Sequence, residues 1–377
     1  MRGGRDRRAA SADDVLVASC AGSPLEPVGG SPLADDLVAG ARFHRIGPLV
    51  QIALRDSRPD LAAHFRADRE RAMLHHLRAM AVLAEIGTAL DDTPWLAFKG
   101  PMLSEFAHPA AGLRVYKDLD ILVDPGQLRQ VAERLFDAGW NVVDSNESLR
   151  NPELAGELRI ASKAGILLDL HWAMAVSAPL RQAFPISANS LLERRRPVRL
   201  GPAQAWSLDP PDALVHVCHH AALAGATRLL HILDADQLAR QIPDWQSLAR
   251  RALEWDASAQ VALVLLRAHR WLGTPLPADL LHTLGLSGAF AGLMSAVDRL
   301  RPIPALRRDE SLARLAARAA RPGVVRTVAL MTRNGALGVR NRLRPARPQA
   351  RREPADREAI AAYLGAVEAA TRAQPAA

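Results

Sequence analysis

From Leu37 to about Leu90 the apolar residues recur at intervals of three and four, with Met73, Leu74, Leu77, Met80 and Ala84 as the clearest stripe, and this period predicts packed helices. The period changes at Thr93-Pro94, where Trp95-Leu96-Ala97-Phe98 forms a short apolar run closing on Lys99-Gly100, with a brief helical stretch from Pro101 to Ala107. Arg114 to Val123 reads as a strand. Asp124-Pro125 then supplies an N-cap and a first-turn proline, and Leu128, Val131, Ala132, Leu135 and Phe136 follow with helical spacing as far as Gly139, a natural left-handed cap. Trp140 to Val143 is another short strand, and Leu158 to Ala161 and Ile166 to Trp172 flank Ser162-Lys163-Ala164-Gly165 as a hairpin.

Beyond Pro179 the pattern returns to helices, one of them capped by Asp209 with Pro210 in its first position. At the other end, Ser11 and Asp14 predict a capping-box start for a helix containing Val15, Leu16 and Cys20, while residues 351–377 predict a short helix at most. The order strand, helix, strand, helix, strand, hairpin, with helices before and after, predicts an α+β fold: a small mixed sheet core with N- and C-terminal helical regions. The expected divisions are a leader and linker over 1–34, a helical region over 35–92, the sheet core over 93–178, a helical domain over 179–313, and a partly disordered basic segment and tail over 314–377.

Composition narrows the class. In 377 residues, 49% hydrophobic content supports an ordinary core and excludes wholesale disorder. No stretch approaches the roughly 18 apolar residues of a membrane span. The formal charge of +8 is local, because eleven arginines and no acids lie between Arg314 and Arg352, and removing these eleven leaves a mildly acidic body at −3. That segment contains no aromatic residue on which bases could stack, and Val324, Val325, Val328, Leu330 and Met331 suggest that part of it packs as helix, so a solvated, partly ordered helical tail is favoured over a dedicated nucleic-acid site, with contact to a polyanion through charge as the alternative. Two cysteines, Cys20 and Cys218, give no disulfide framework, and a cytoplasmic setting is expected. Val17-Ala18-Ser19-Cys20 resembles a lipoprotein cleavage box, but Asp13 and Asp14 stand where its apolar core should be.

The chemistry concentrates at Lys99-Gly100 and at Asp118-Leu119-Asp120-Ile121-Leu122-Val123. Residues two apart on a strand share a face, so Asp118 and Asp120 project together, about 7 Å apart along the chain, while Leu119, Ile121 and Val123 pack behind. Paired carboxylates repel one another unless a cation sits between them, and hard oxygen ligands of this kind suit Mg²⁺. Two-metal phosphoryl chemistry needs a third acid from a neighbouring strand. Asp169, alone in the apolar run Leu167 to Trp172, meets that demand; burial there calls for a cationic partner, and His171 is placed to bond a carboxylate. The structural alternative is a solvated acidic strand with Asp169 paired to an arginine. His216, His219 and His220 have helical spacing that invites zinc, but no Glu lies between them and the pattern is that of helix-packing histidines.

The segments Phe98-Lys99-Gly100, Gly112-Leu113-Arg114, Asp118 to Val123 and Leu168-Asp169-Leu170-His171-Trp172 together resemble the uncharacterised bacterial nucleotidyltransferase family of the DNA polymerase beta-like superfamily. More distantly they are similar to abortive-infection nucleotidyltransferase toxins. His44 to Leu49 looks like the family's N-terminal motif, and His220, Arg228 and Asp234 match its C-terminal helical motif, so the resemblance covers about residues 35–240. It implies a nucleotidyltransferase using Mg²⁺, with Mn²⁺ as the alternative ion, that moves a nucleoside monophosphate from a nucleoside triphosphate to an acceptor with release of pyrophosphate. Asp118, Asp120 and Asp169 would be catalytic and metal-binding; Lys99, Gly100 and Arg114 would meet the nucleotide, with Arg114 reading equally as a phosphate ligand or as a brace for Asp118; and His220, Arg228 and Asp234 would lie on the acceptor side. The acceptor, whether small molecule, peptide or RNA, is not specified. Two rival readings are a toxin-like transferase acting on protein or RNA, and a catalytically silent nucleotide- or partner-binding protein. The chain departs from the superfamily in one respect: Pro101, without an amide hydrogen, stands where a Ser or Gly usually follows Gly100.

Overall fold

In a computed structural model of the chain, the apolar runs become one mixed seven-stranded sheet. The structure describes residues 10–24, 32–201, 203–309, 311–322 and 353–373, together with 327, 329, 330 and 332. The strands are β1 (Trp95–Phe98), β2 (Asp118–Val123), β3 (Asn141–Val142), β4 (Glu157–Ala161), β5 (Leu167–His171), β6 (Arg196–Leu200) and β7 (Ala203–Ser207), in the spatial order β3-β4-β5-β2-β1-β7-β6. β2 runs antiparallel to β1 and parallel to β5, and β1 runs parallel to β7. The fold is α+β, as the element order predicts.

Each face of the sheet has its own core. Leu119, Ile121, Leu158, Ile160, Leu168 and Leu170 point to the back, where they meet helices Arg66–Leu90, Leu128–Asp137 and Arg357–Arg372. Leu96, Phe98 and Leu122 point to the front and join the core of the helical region that includes Leu214, Val217 and Leu233. The N-terminal helix Ala12–Ala21 starts with the expected capping box, in which the Ser11 hydroxyl accepts from the Asp14 amide and the Asp14 carboxylate accepts from the Ser11 amide. It belongs to the same front core, and Cys20, like Cys218, is free and buried. Among the described residues no helix is long and apolar enough to cross a membrane.

Three elements differ from the sequence reading. The strand expected to begin at Arg114 begins at Asp118, because Arg114 turns away to a buried ion pair with Asp234. Residues 196–207, expected to be helical, form the hairpin β6–β7 around Gly201, whose φ of +56° suits the turn. Pro197 is tolerated because β6 is an edge strand with no further ladder to donate to. Residues 357–372, expected to hold a short helix at most, form a helix of 16 residues. Asp356 caps it, and Ala359, Tyr363, Leu364 and Val367 bury one face behind the sheet. Most of the arginine-rich segment lies outside the described residues.

The Tyr363 ring is 1% exposed; its hydroxyl donates to the carbonyls of Ala155 and Glu157 and accepts from the Trp172 indole at 2.9 Å. Arg129 and Glu368 pair at 2.5 Å beside it. Removing only the hydroxyl, in Tyr363→Phe, should destabilise the protein by about 1–3 kcal/mol, through stranded polar groups. Tyr363→Ala should cost about 3–5 kcal/mol, through the cavity it leaves. Equilibrium denaturation measures both, and equal losses in the two variants would place the energy in the hydroxyl alone.

Candidate active site

The parallel ladder between β2 and β5 sets Asp120 directly beside Asp169, and Asp118 beside Leu167. Partners in register share a face, so Asp118, Asp120 and Asp169 converge on the front of the sheet, where they line one cavity of about 390 Å³ together with Lys99, Gly100 and His171.

β1 delivers the lysine. Phe98 pairs with Asp120, and the chain then turns through Lys99, with φ of 59°, and Gly100, with φ of 30°. A Cβ at position 100 would lie 3.2 Å from the Asp118 carbonyl and 3.5 Å from the Tyr116 ring, so glycine is required both by conformation and by space. Lys99 has no such freedom, and its conformation costs of order 1–3 kcal/mol. The turn places its ammonium 2.6 Å from Asp120 Oδ1, inside the site. His171 Nε2 lies 3.1 Å from the same oxygen and 3.5 Å from Glu157.

The three acids are therefore unequal. Asp120 is 4% exposed, and burial acts to raise its pKa, but Lys99 and His171 outweigh burial and hold the carboxyl down at about 2. Asp118 is raised, by burial and then by Asp120. Asp169 is pushed up to about 7 by burial, then by Glu157 and Asp120. Among the described residues neither Asp118 nor Asp169 makes an ion pair. The cationic partner expected for Asp169 is absent, although Arg159 stands opposite it across the β4–β5 ladder, because Arg159 is held by Asp144 at 2.6–2.8 Å. The ligand atoms of Asp120, Asp169 and His171 lie within 4.8 Å of one another, a separation that one divalent cation can span.

The residues matched on the acceptor side separate. Asp234 is fully enclosed: it takes three hydrogen bonds of 2.9–3.2 Å from Arg114 and one contact of 2.9 Å from His108. Burial would raise its pKa, yet Arg114 and His108 hold it below the ordinary carboxylate range. Arg114 lines the cavity and is held in this pair through Nε and Nη2, so it ties the segment before β2 to helix Leu229–Ala239. Arg228 lies outside the cavity lining, bonding Asp309 at 3.0 Å over the Phe43 ring. His220 alone of the three opens onto the cavity, beside His216, His219 and His231. His216 and His219 do pack on aromatic rings, Phe98 at 5.0 Å and Phe184 at 4.4 Å, as the helix-packing reading expects. His44 is buried between elements, with Nδ1 accepting from the Leu229 amide at 3.2 Å.

Two cavity cations escaped the sequence reading. Arg45 and Lys117 line the site, and among the described residues neither has an ion-pair partner. Arg45 is lowered by burial and then by the neighbouring charges of Arg228 and Arg114, a crowding of cations that an anion would relieve. Its signal was its place beside His44 in the N-terminal motif; that of Lys117 was its place beside Asp118.

A mixed sheet that carries convergent carboxylates on one face, beside a Lys-Gly turn, is the frame of a nucleotidyltransferase core. The chain belongs to the family described as "Uncharacterised nucleotidyltransferase", whose model matches residues 31–273. None of the curated proteins compared with it matches.

Asp169 supplies a test of the geometry. Its folded pKa of about 7 lies above the roughly 3.9 of an unfolded chain, so the folded protein holds a proton that the unfolded chain releases. Stability should fall as pH rises from about 4 to about 7. In chelator, Asp169→Asn should gain on the wild type across that window by a few kcal/mol, at about 1.4 per pKa unit. Added Mg²⁺ should close the gap above pH 7. Thermal unfolding at stepped pH reads this directly, and a gap that does not vary with pH would contradict the placement.

Proposed function

We propose that the chain transfers a nucleoside monophosphate from a nucleoside triphosphate to an acceptor hydroxyl with release of pyrophosphate, using Mg²⁺, or Mn²⁺ in its place, held by Asp118, Asp120 and Asp169. One observation carries this reading: three carboxylates share a cavity, and Lys99 and His171 neutralise only the middle one. The donor set fits the ion, because hard carboxylate oxygens are what Mg²⁺ and Mn²⁺ prefer, and Asp118 and Asp169 both gain by its arrival. A divalent cation bound there would neutralise charge on the α-phosphate and on the departing pyrophosphate.

The protein's own groups divide the remaining work. Lys99 and His171 fix Asp120 in orientation and keep it ionised. Arg45 and Lys117, cationic and unspent, hold the triphosphate by charge-assisted hydrogen bonds. This assignment answers the proline after Gly100: helix Gly100–Phe106 lacks one amide hydrogen in its first turn, and the grip on phosphate passes to side chains. The buried Arg114–Asp234 pair holds the two halves of the cavity together.

Asp118→Asn and Asp120→Asn should each fold and should each lower metal-dependent pyrophosphate release by about 10²–10³-fold. The assay uses Mg²⁺ and Mn²⁺ with a panel of triphosphates and a lysate as acceptor source. Turnover that survives both substitutions would locate the chemistry elsewhere. Arg45→Ala should instead raise the triphosphate Kd about 10–100-fold, as expected for one charge-assisted contact of roughly 1.5–3 kcal/mol. Calorimetric titration with a non-hydrolysable triphosphate in Mg²⁺ measures it, and an unchanged Kd would remove Arg45 from the phosphate site.

A further inference from the structure

The helical wall of the cavity presents polar atoms that nucleotide binding does not use. His216 and His231 are 3% and 8% exposed, both line the cavity, and among the described residues neither nitrogen of His216 nor Nδ1 of His231 has a hydrogen-bond partner. His220 stacks on His216 at 6.1 Å and meets His231 edge-on at 5.6 Å, so the three rings form one continuous surface. A neutral imidazole carries one N–H and one lone pair. Enclosing both without partners is costly, and a residue kept only to pack on Phe98 would do so better as Phe or Leu.

We propose that His216, His220 and His231 form the acceptor subsite, and that the acceptor is an uncharged alcohol on an apolar body. The word acceptor rests on the nucleotidyl-transfer reading; the alcohol site itself does not. A hydroxyl donates one hydrogen bond and accepts others, which complements a neutral ring, whereas a phosphate monoester offers only acceptors and brings negative charge. The buried rings of the wall are in their neutral form: burial, followed by Lys99, holds His216 below the ordinary histidine range, and burial sets His231 at about 4, while His220 is exposed. Beside the rings the lining is apolar, with Met174, Leu180, Leu223 and Leu230. The cavity's free cations, Arg45 and Lys117, are left to the triphosphate.

The test uses the full-length, metal-free protein with ¹⁵N-labelled histidine. It is titrated separately with cyclohexanol, benzyl alcohol, inorganic phosphate and Zn²⁺, and the imidazole resonances are followed. Both alcohols should shift His216, His220 and His231 saturably, with phosphate at least tenfold weaker. His216→Phe keeps the contact with Phe98 and removes two stranded nitrogens, so it should raise the melting temperature and weaken alcohol binding at least tenfold. Resonances unmoved by either alcohol, or moved only by phosphate or only by Zn²⁺, overturn the proposal, as does an unchanged alcohol affinity in His216→Phe. Binding of a Mg²⁺–triphosphate analogue is read on the same samples. Its absence beside alcohol-shifted histidines would retire nucleotidyl transfer and leave the alcohol site standing; its presence beside unmoved histidines would do the reverse.

Discussion

The parallel register of β2 on β5 is the constraint on which the site depends. Side chains alternate along a strand, so a slip of one residue would send Asp120 and Asp169 to opposite faces. The back of the sheet fixes the register. Leu119, Ile121, Leu168 and Leu170 are each at most 1% exposed, and each contributes about 1.5–3 kcal/mol by burial. Together they exceed the few kcal/mol lost in crowding carboxylates on the front, so the core places the acids where electrostatics alone would not.

Arginine placement leaves much of that crowding in place. Arg114 and Arg159 are committed elsewhere, to Asp234 and to Asp144, while Arg45 lines the cavity without an ion-pair partner among the described residues. Among the described residues, Asp120 alone of the three acids has ion-pair partners. The result is a cavity in which Lys99 and His171 serve one carboxylate while burial and neighbouring acids raise the pKa of Asp118 and Asp169, a strain that a small, hard cation would relieve.

What the sequence made legible was local. The Asp-x-Asp strand, the helix from Leu128 to Asp137 and the hairpin carrying Asp169 announced themselves by period, caps and turn residues within a few positions of one another. What escaped was set by distance or masked by composition. Arg114 reads equally as a phosphate ligand or a brace until its partner, 120 residues on, is in view. The edge hairpin has a proline in one strand and little branched or aromatic content, so nothing local distinguishes it from a loop. Tyr363, Leu364 and Val367 do carry helical spacing, but they follow an arginine-rich stretch that made the whole tail look solvated. Arg45 lay in view and unread, because a residue beside a matched motif has no pattern of its own.

The tail helix also bears on how the site keeps its shape. The sheet's back core takes Tyr363 and Val367 from this helix, and the Tyr363 hydroxyl holds the backbone of Ala155 and Glu157, close to the acids. Glu157 stands in β4 directly opposite His171 in β5. Whatever loosens the helix behind the sheet is therefore carried through β4 to the strand that bears Asp169, and a disturbance far along the chain is felt in the cleft.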